Sequence, residues 1–346
     1  MVEVLRSERM RFVIVATLVA GLAGCGARAD TPTSAASART TQERRPAAPP
    51  ATAVPLPPEV RNAELLVSAA RADPDNPDVT YSRVELVGAD GRRRTVFRGG
   101  WGARWSPDGR LVARYERGGH ANSYGGYSTK LVSSRLDGSG RKLFKLPRRR
   151  GSPLSVEGFS WFPDSLRLAV NAVVSDGEEP PRTVLVGDRD GSDRSTLRLP
   201  CREASSVSVS PDGKRIAYGC GAAALIASAR DDTPPSVVRD ASRSELTLSR
   251  AATLAWRPDG RQIAVDLEDQ GQRARIILAR TGSGSRVSSP PVTVRQAEDL
   301  SWSPSGRYVA YVPSEDADAV LIAQTADGKV IRRLPLAGAG SVSWRP

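Results

Sequence analysis

The chain is short of the residues that most often carry chemistry. Its 346 residues include one histidine, His120, and three cysteines, Cys25, Cys201 and Cys220. A multi-histidine metal centre and a cysteine-rich zinc module are therefore excluded. Aromatic residues are scarce at 5%, and no apolar run is long enough to span a bilayer, since the run from Phe12 to Ala23 covers twelve residues against the roughly 20 required. What remains is an ordinary balance of 39% hydrophobic and 25% charged residues. That is too apolar for a chain disordered throughout and enough for a sizeable core.

The formal charge is +12. In the cytoplasm such an excess would point to nucleic acid, so compartment decides its meaning. Residues 1–24 carry Arg6, Arg9 and Arg11, then the apolar run, then a small residue before Cys25. This is the layout of a secretory signal peptide. Leu22, Ala23, Gly24 and Cys25 resemble the lipobox of bacterial lipoproteins, which implies cleavage before Cys25 and acylation of its thiol. Simple secretion with cleavage near Cys25, or a retained anchor, is the alternative. Losing the signal removes three Arg and two Glu, so the positive excess survives. The expectation is a protein lipid-anchored to the cell membrane on its extracytoplasmic face. Its natural counterparts there are anionic lipid head groups or wall polymers, and nucleic acid is not among them.

From Gly26 to about Val60 the chain is mostly Ala, Thr, Ser and Pro without hydrophobic period. With Cys25 this reads as a disordered tether over 25–60, because such a composition buries too little to offset its ordering entropy.

Beyond residue 60 the chain repeats itself. The copies are Trp105-Ser106-Pro107-Asp108-Gly109-Arg110, Trp161-Phe162-Pro163-Asp164, Val209-Ser210-Pro211-Asp212-Gly213-Lys214, Trp256-Arg257-Pro258-Asp259-Gly260-Arg261 and Trp302-Ser303-Pro304-Ser305-Gly306-Arg307, with a last one cut at Trp344-Arg345-Pro346. Their starts lie 56, 48, 47, 46 and 42 residues apart. Each complete copy continues into a β-branched residue or Leu and then Ala: Ala113, Ala169, Ala217, Ala264, Ala310. Pro and Asp-Gly make a hairpin turn, the following residues return as a strand, and an Ala recurring at one position marks a close approach. The Trp is expected between neighbouring sheets.

A second piece, an apolar strand ending in an acidic or Gly turn, occurs six times, from Val84–Gly91 to Val320–Gly328. Its first copy precedes the first Trp motif, and nothing follows the last motif. The strand through Ser341–Trp344 therefore completes a blade whose other strands lie near 63–68, 82–88 and 94–98. The expected fold is all-β: a six-bladed β-propeller over 61–346, closed by pairing the C-terminal strand with the N-terminal three, which leaves no long sheet edge exposed.

The Trp-Ser-Pro-Asp-Gly turn with its apolar strand resembles the TolB-like or WD-repeat-like propeller repeat of bacterial envelope proteins. The resemblance covers about residues 60–346. It departs where Ser165 and Leu166, Val209, and Ser305 replace the usual residues, and the helical domain that precedes the propeller in TolB has no counterpart. It implies a protein-protein interaction scaffold at the cell envelope, with an envelope protein or peptide as partner.

No catalytic motif stands out. A propeller peptidase needs an α/β-hydrolase domain with Gly-x-Ser-x-Gly and a His partner, and the tether leaves no room for one. No enzyme activity, cofactor or metal is expected. The alternatives are a glycan- or small-ligand-binding propeller and a metal-dependent propeller hydrolase or lyase. His120 lies in a Gly-rich loop with Asn122, Tyr124 and Tyr127, which reads as a solvated loop or a ligand loop. Asp188, Asp190 and Asp193 alternate as in a calcium loop, but the Gly comes too early for an EF-hand and turn chemistry accounts for them. Cys201 and Cys220 flank the hairpin at Pro211-Asp212-Gly213, with Cys220 expected opposite 205, and an oxidising compartment favours a bridge.

The connections between second and third strands lie on one face and carry Asp73, Asp75 and Asp78; Asp176, Glu178 and Glu179; Glu268 and Asp269; and Glu315, Asp316 and Asp318. Each set alone reads as a solvated loop. Their recurrence in four blades makes an acidic partner-binding rim, interrupted by a basic patch at Arg148, Arg149 and Arg150.

Overall fold

Each repeat is built on one hydrogen-bonded turn. Ser106 N–H donates to Leu111 O at 2.8 Å and Gly109 N–H to Ser106 O at 2.9 Å. The Ser106 hydroxyl donates to the Asp108 carboxylate at 2.6 Å and accepts from Leu111 N at 2.9 Å. Asp108 in turn accepts from Arg110 N at 3.1 Å. Gly109 sits at φ +67°, a left-handed conformation that glycine adopts without a Cβ penalty. Ser210 and Asp212 repeat the pattern, and the Ser210 hydroxyl above all holds the Asp212 carboxyl below its ordinary range. That contribution is present above the ordinary carboxylate pKa and is lost as pH falls through the lowered value.

Two departures from the repeat are compensated from elsewhere. Ser165 stands where other turns have Gly, at φ +58°, and its hydroxyl accepts the Asp108 N–H of the preceding turn at 3.1 Å. Ser305 replaces the Asp, and Glu59 supplies the missing carboxylate, accepting from Ser305 N at 2.9 Å and Ser305 Oγ at 2.5 Å.

The computed structural model describes residues 55–72, 80–121, 127–149, 152–174, 183–197, 199, 201, 204–220, 223–229, 236–238, 251–267, 275–280, 297–313 and 318–346. A short helix α1 (Pro58–Arg61) leads into β1 (Glu64–Ala72), β2 (Thr80–Gly88) and β3 (Arg93–Arg98) of the first blade. The second blade is β4 (Trp101–Trp105), β5 (Val112–Ala121), β6 (Tyr127–Ser134) and β7 (Lys142–Leu143). The third holds β8 (Arg148–Arg149), β9 (Ser152–Trp161), β10 (Arg167–Val174), β11 (Thr183–Asp188) and β12 (Ser195–Leu197). The fourth has β13 (Ala204–Val209), β14 (Arg215–Cys220), β15 (Ala223–Ser228) and β16 (Ser236–Val238), and the fifth β17 (Ala251–Trp256), β18 (Gln262–Leu267) and β19 (Arg275–Arg280). The sixth is β20 (Ala297–Trp302), β21 (Tyr308–Pro313), β22 (Ala319–Gln324) and β23 (Val330–Pro335), after which β24 (Ala339–Trp344) returns to the first.

The first sheet has the order β24-β1-β2-β3, with Leu65 opposite Trp344 and Val67 opposite Val342. The fold is thus the six-bladed propeller closed by its C-terminal strand. It differs from six uniform four-stranded sheets in the third blade, where β8 adds a short strand beside β9. That strand is the backbone of Arg148 and Arg149. In the fifth blade the described residues form three strands.

The apolar core is divided among the six gaps between neighbouring blades. Leu66, Val84 and Phe97 of the first blade meet Ala103, Trp105 and Val112 of the second. Corresponding clusters fill the next four gaps, and the last joins Ala310, Val312 and Ile322 of the sixth blade to Leu65, Val67 and Trp344 of the first. A cluster in every gap is what a closed ring requires. Within them the motif Trp of one blade shares a cluster with the recurrent Ala of the preceding blade: Trp161 with Ala113, Trp256 with Ala217, Trp302 with Ala264, Trp344 with Ala310. Indole N–H groups also cross the gaps, Trp256 to Ser208 O at 3.0 Å and Trp302 to Ala255 O at 2.9 Å. The Ala positions are fully buried, so Ala264→Leu is expected to overpack the Trp302 site and lower stability by about 1–3 kcal/mol. Denaturant unfolding reads this directly; an unchanged midpoint would mean that the indole leaves room for a larger side chain.

The tether boundary at residue 60 needs correction. Residues 55–60, read above as part of the tether, are among the described residues. Val60 is fully buried and Leu56 packs on the cluster between the sixth and first blades, because α1, with Pro at its first turn, turns this segment onto the ring and brings Glu59 to Ser305. Cys25 and residues 1–54 lie outside the described residues. Among the described residues no helix is long and apolar enough to cross a membrane.

Candidate binding site in the central channel

The innermost strands β24, β4, β9, β13, β17 and β20 surround a cavity of about 980 Å³. Each of them shifts register once against its neighbour. Such a bulge places an extra residue in one strand and re-aims the side chains beside it. One end of the cavity is bounded by the motif prolines, Pro107, Pro163, Pro211, Pro258, Pro304 and Pro346. Serine dominates between the ends, in Ser160, Ser208, Ser301 and Ser343 just ahead of the motif and Ser206 and Ser341 further back.

These serines are also ties between blades. Ser160 Oγ accepts from Val209 N at 3.0 Å, Ser301 Oγ from Trp344 N at 2.9 Å and Ser343 Oγ from Trp105 N at 3.1 Å. Each satisfies a backbone donor that would otherwise be stranded at a blade junction.

In the second blade the position of these serines is held by Arg104. Its Nη1 donates to Asp299 Oδ2 and to Val342 O, both at 2.6 Å, and its Nη2 donates to Asp299 Oδ1 at 2.5 Å. Asp299 Oδ2 also accepts Val342 N–H at 2.8 Å. The pair therefore spans from the second blade to the sixth across β24. Burial works against the guanidinium charge, but the Asp299 carboxylate and its hydrogen bonds outweigh it and raise the Arg104 pKa. The Asp299 side chain is 5% exposed and that of Arg104 29%, and both residues line the cavity.

At the other end of β4 stands Trp101, the tryptophan outside the repeat motif. It is partly exposed and lies 5.8 Å from the Tyr115 ring, which meets Phe159 edge-on at 5.1 Å. Tyr115 Oη donates to Glu157 O at 3.2 Å, and burial foremost raises its pKa. Gly102 makes this ledge possible. Its φ is +61°, and a Cβ there would lie 2.4 Å from the Tyr115 ring.

Asp73, Asp75, Asp78, Asp176, Glu178, Glu179, Glu268, Asp269, Glu315, Asp316, Asn122 and Tyr124 lie outside the described residues. For His120 and Tyr127 the structure describes the backbone, at the ends of β5 and β6. Asp318 is exposed, and its carboxylate accepts Gly338 N at 3.2 Å while its carbonyl accepts Leu336 N at 2.7 Å. Because Gly338 lines the cavity, Asp318 stands beside the mouth at which Trp101 lies. Asp190 acts as a turn cap: it accepts from Ser192 N and Oγ and pairs with Lys142 at 3.4 Å. The Ser192 bonds lower its pKa to about 2. Among the described residues no group of three or more His, Cys, Asp or Glu is placed to hold a metal ion.

Cys201 and Cys220 form a disulfide with their Cα atoms 5.9 Å apart. The anticipated register holds as far as Val207↔Tyr218 and then slips by one at a bulge, so that Ala204 rather than 205 faces Cys220. Denaturation without reductant is expected to leave both sulfurs unreactive to a thiol reagent; two titratable thiols at these positions would contradict the bridge.

No family model matches this sequence, and no curated protein matches it. The fold does have relatives. TolB from Acinetobacter baumannii superposes with a TM-score of 0.61 at 16% identity, over 82% of this chain and 67% of that one. This chain has the TolB-type propeller fold. Hydrazine synthase from Kuenenia stuttgartiensis superposes with a TM-score of 0.53 at 14% identity, over 79% of this chain and 88% of that one. At such identities the TolB-type likeness extends to the fold, and the site has to be argued from its own residues.

Two of those residues, Arg104 and Trp101, left traces in the sequence. Arg104 stands where four other copies have Ser, and Trp101 is the tryptophan that no repeat explains, set among Gly99, Gly100 and Gly102. Asp299 left none, being 195 positions from its partner.

Proposed function

We propose that this chain is a binding scaffold held at the extracytoplasmic face of the membrane through Cys25. Its partner, a protein or peptide of the envelope, is bound at the end of the ring where the second-to-third-strand connections meet the cavity mouth. The observation that carries this reading is the consumption of Arg104 and Asp299 by one another, which leaves the channel with a built-in structural pair and an open aromatic mouth rather than paired acid and base groups poised on a substrate. The lipobox-like segment supports the location, and the disulfide suits an oxidising compartment. The acidic residues of those connections suit a partner with basic character.

The test is cross-linking in cells followed by affinity capture, comparing the full chain with the Glu315→Lys/Asp316→Lys/Asp318→Lys variant. One envelope protein captured by the native chain and lost with the variant is the expected result. Equal capture by both would remove the connections from the binding face.

A further inference from the structure

The channel mouth has a chemistry that the scaffold reading does not use. Trp101 presents a partly exposed indole beside Tyr115, backed by Phe159. Below it on β4 lies Arg104, three residues along, or about 10 Å at strand rise. Both line the same cavity, whose wall combines serine hydroxyls with aromatic and aliphatic side chains.

The guanidinium is oriented in a particular way. Asp299 takes one hydrogen each from Nη1 and Nη2, and Val342 O takes the second from Nη1. The Nε–H and the second Nη2 hydrogen take no part in these bonds. They form the lateral edge of the guanidinium, two parallel donors in fixed geometry. Asp299 cancels the cation's charge while locking its plane, so an incoming anion gains little attraction from Arg104 and meets the Asp299 carboxylate. Two neighbouring neutral oxygens suit that edge better.

An aromatic face for C–H groups, a fixed pair of donors for adjacent oxygens and serine hydroxyls interspersed in an apolar wall are together the chemistry that recognises a sugar. We propose that the mouth of the channel is a binding site for a neutral oligosaccharide. One ring stacks on Trp101 and the vicinal hydroxyls of a deeper ring accept from the lateral edge of Arg104. The span between the two groups favours an oligosaccharide over a single sugar.

This inference is independent of the scaffold reading, since it uses residues of the channel rather than the connections. The mature chain is titrated with chitotriose, maltotriose and mannotriose, read by tryptophan fluorescence and calorimetry. Saturable binding of at least one neutral trisaccharide is expected, weakened tenfold or more in Trp101→Ala with an unchanged melting temperature. Arg104→Lys, which keeps the charge and removes the lateral donor pair, is expected to weaken it as well. No binding of any of the three at millimolar concentration would overturn the proposal, as would equal binding by Trp101→Ala or preferential binding of a galacturonate trimer.

Discussion

A chain ending at Gly338 is expected not to form a cooperatively folded ring. The missing segment contains all of β24, and with it the pairing of Leu65 with Trp344 and Val67 with Val342. Trp344 is 5% exposed and Val342 fully buried. Losing an indole from such a position costs about 3–5 kcal/mol and a buried Val about 1.5–3 kcal/mol more. The losses spread beyond the strand. Ser343 Oγ no longer accepts Trp105 N, Trp344 no longer donates to Ser301, and Asp299 loses the Val342 N–H. Arg345, whose guanidinium lies 5.1 Å from the Trp105 ring centre, also goes. Because a domain of this kind is stable by only about 5–15 kcal/mol in total, the sum reaches or exceeds the lower end of that range. Circular dichroism melts and limited proteolysis should show a broad, early transition. A synthetic peptide of residues 339–346 should sharpen it by restoring the strand. A truncated chain that melts like the intact one would mean that the ring does not depend on this closure.

That dependence is readable in the sequence. The repeat is cut between the two ends of the chain, and only pairing of the ends makes the fragments whole. The hairpin turn was readable for a similar reason: Ser, Pro, Asp and Gly each answer a local demand of the turn, and local demands repeat visibly. Ala113 and its equivalents announced a close approach, and the structure identifies the motif side chain of the next blade as the neighbour in four of the gaps. The edge of the fold was harder to read. Residues 55–60 have the composition of a linker, yet Val60 is buried and Glu59 completes a turn 246 positions away. Nothing local to Glu59 could announce that Ser305 lacked a carboxylate.

The channel was the least legible part. Which residues face the axis depends on the bulge in each inner strand, and a bulge shifts the alternation of faces by one residue. Counting back from the motif without it assigns the wrong faces. Charges in connections are conspicuous in a sequence, whereas Arg104 is a lone charge in an apolar strand and Asp299 follows Glu298 with nothing in the local pattern to set it apart. Their partnership exists only because the ring brings the second and sixth blades to either side of β24.

The energetic consequence of that partnership can be measured by removing it in two ways. Asp299→Ala should be strongly destabilising, since it strands the Arg104 guanidinium in the channel wall and also orphans Val342 N–H. Breaking one side of a buried pair costs about 3–5 kcal/mol, and the partial exposure of Arg104 places the expected value toward the lower end. The double variant Arg104→Ser/Asp299→Ser should recover much of the loss. Ser already occupies the Arg104 position in four other copies, and Ser206 and Ser341 occupy the position of Asp299 in theirs. The double change therefore converts this part of the wall to the pattern that the other blades already satisfy, without leaving a buried charge. A double-mutant cycle in denaturant isolates the coupling, expected at about 1–3 kcal/mol for two groups in direct contact. Additive losses, with the double variant less stable than either single change, would show that the two side chains contribute separately and that the pair does not tie the second blade to the sixth.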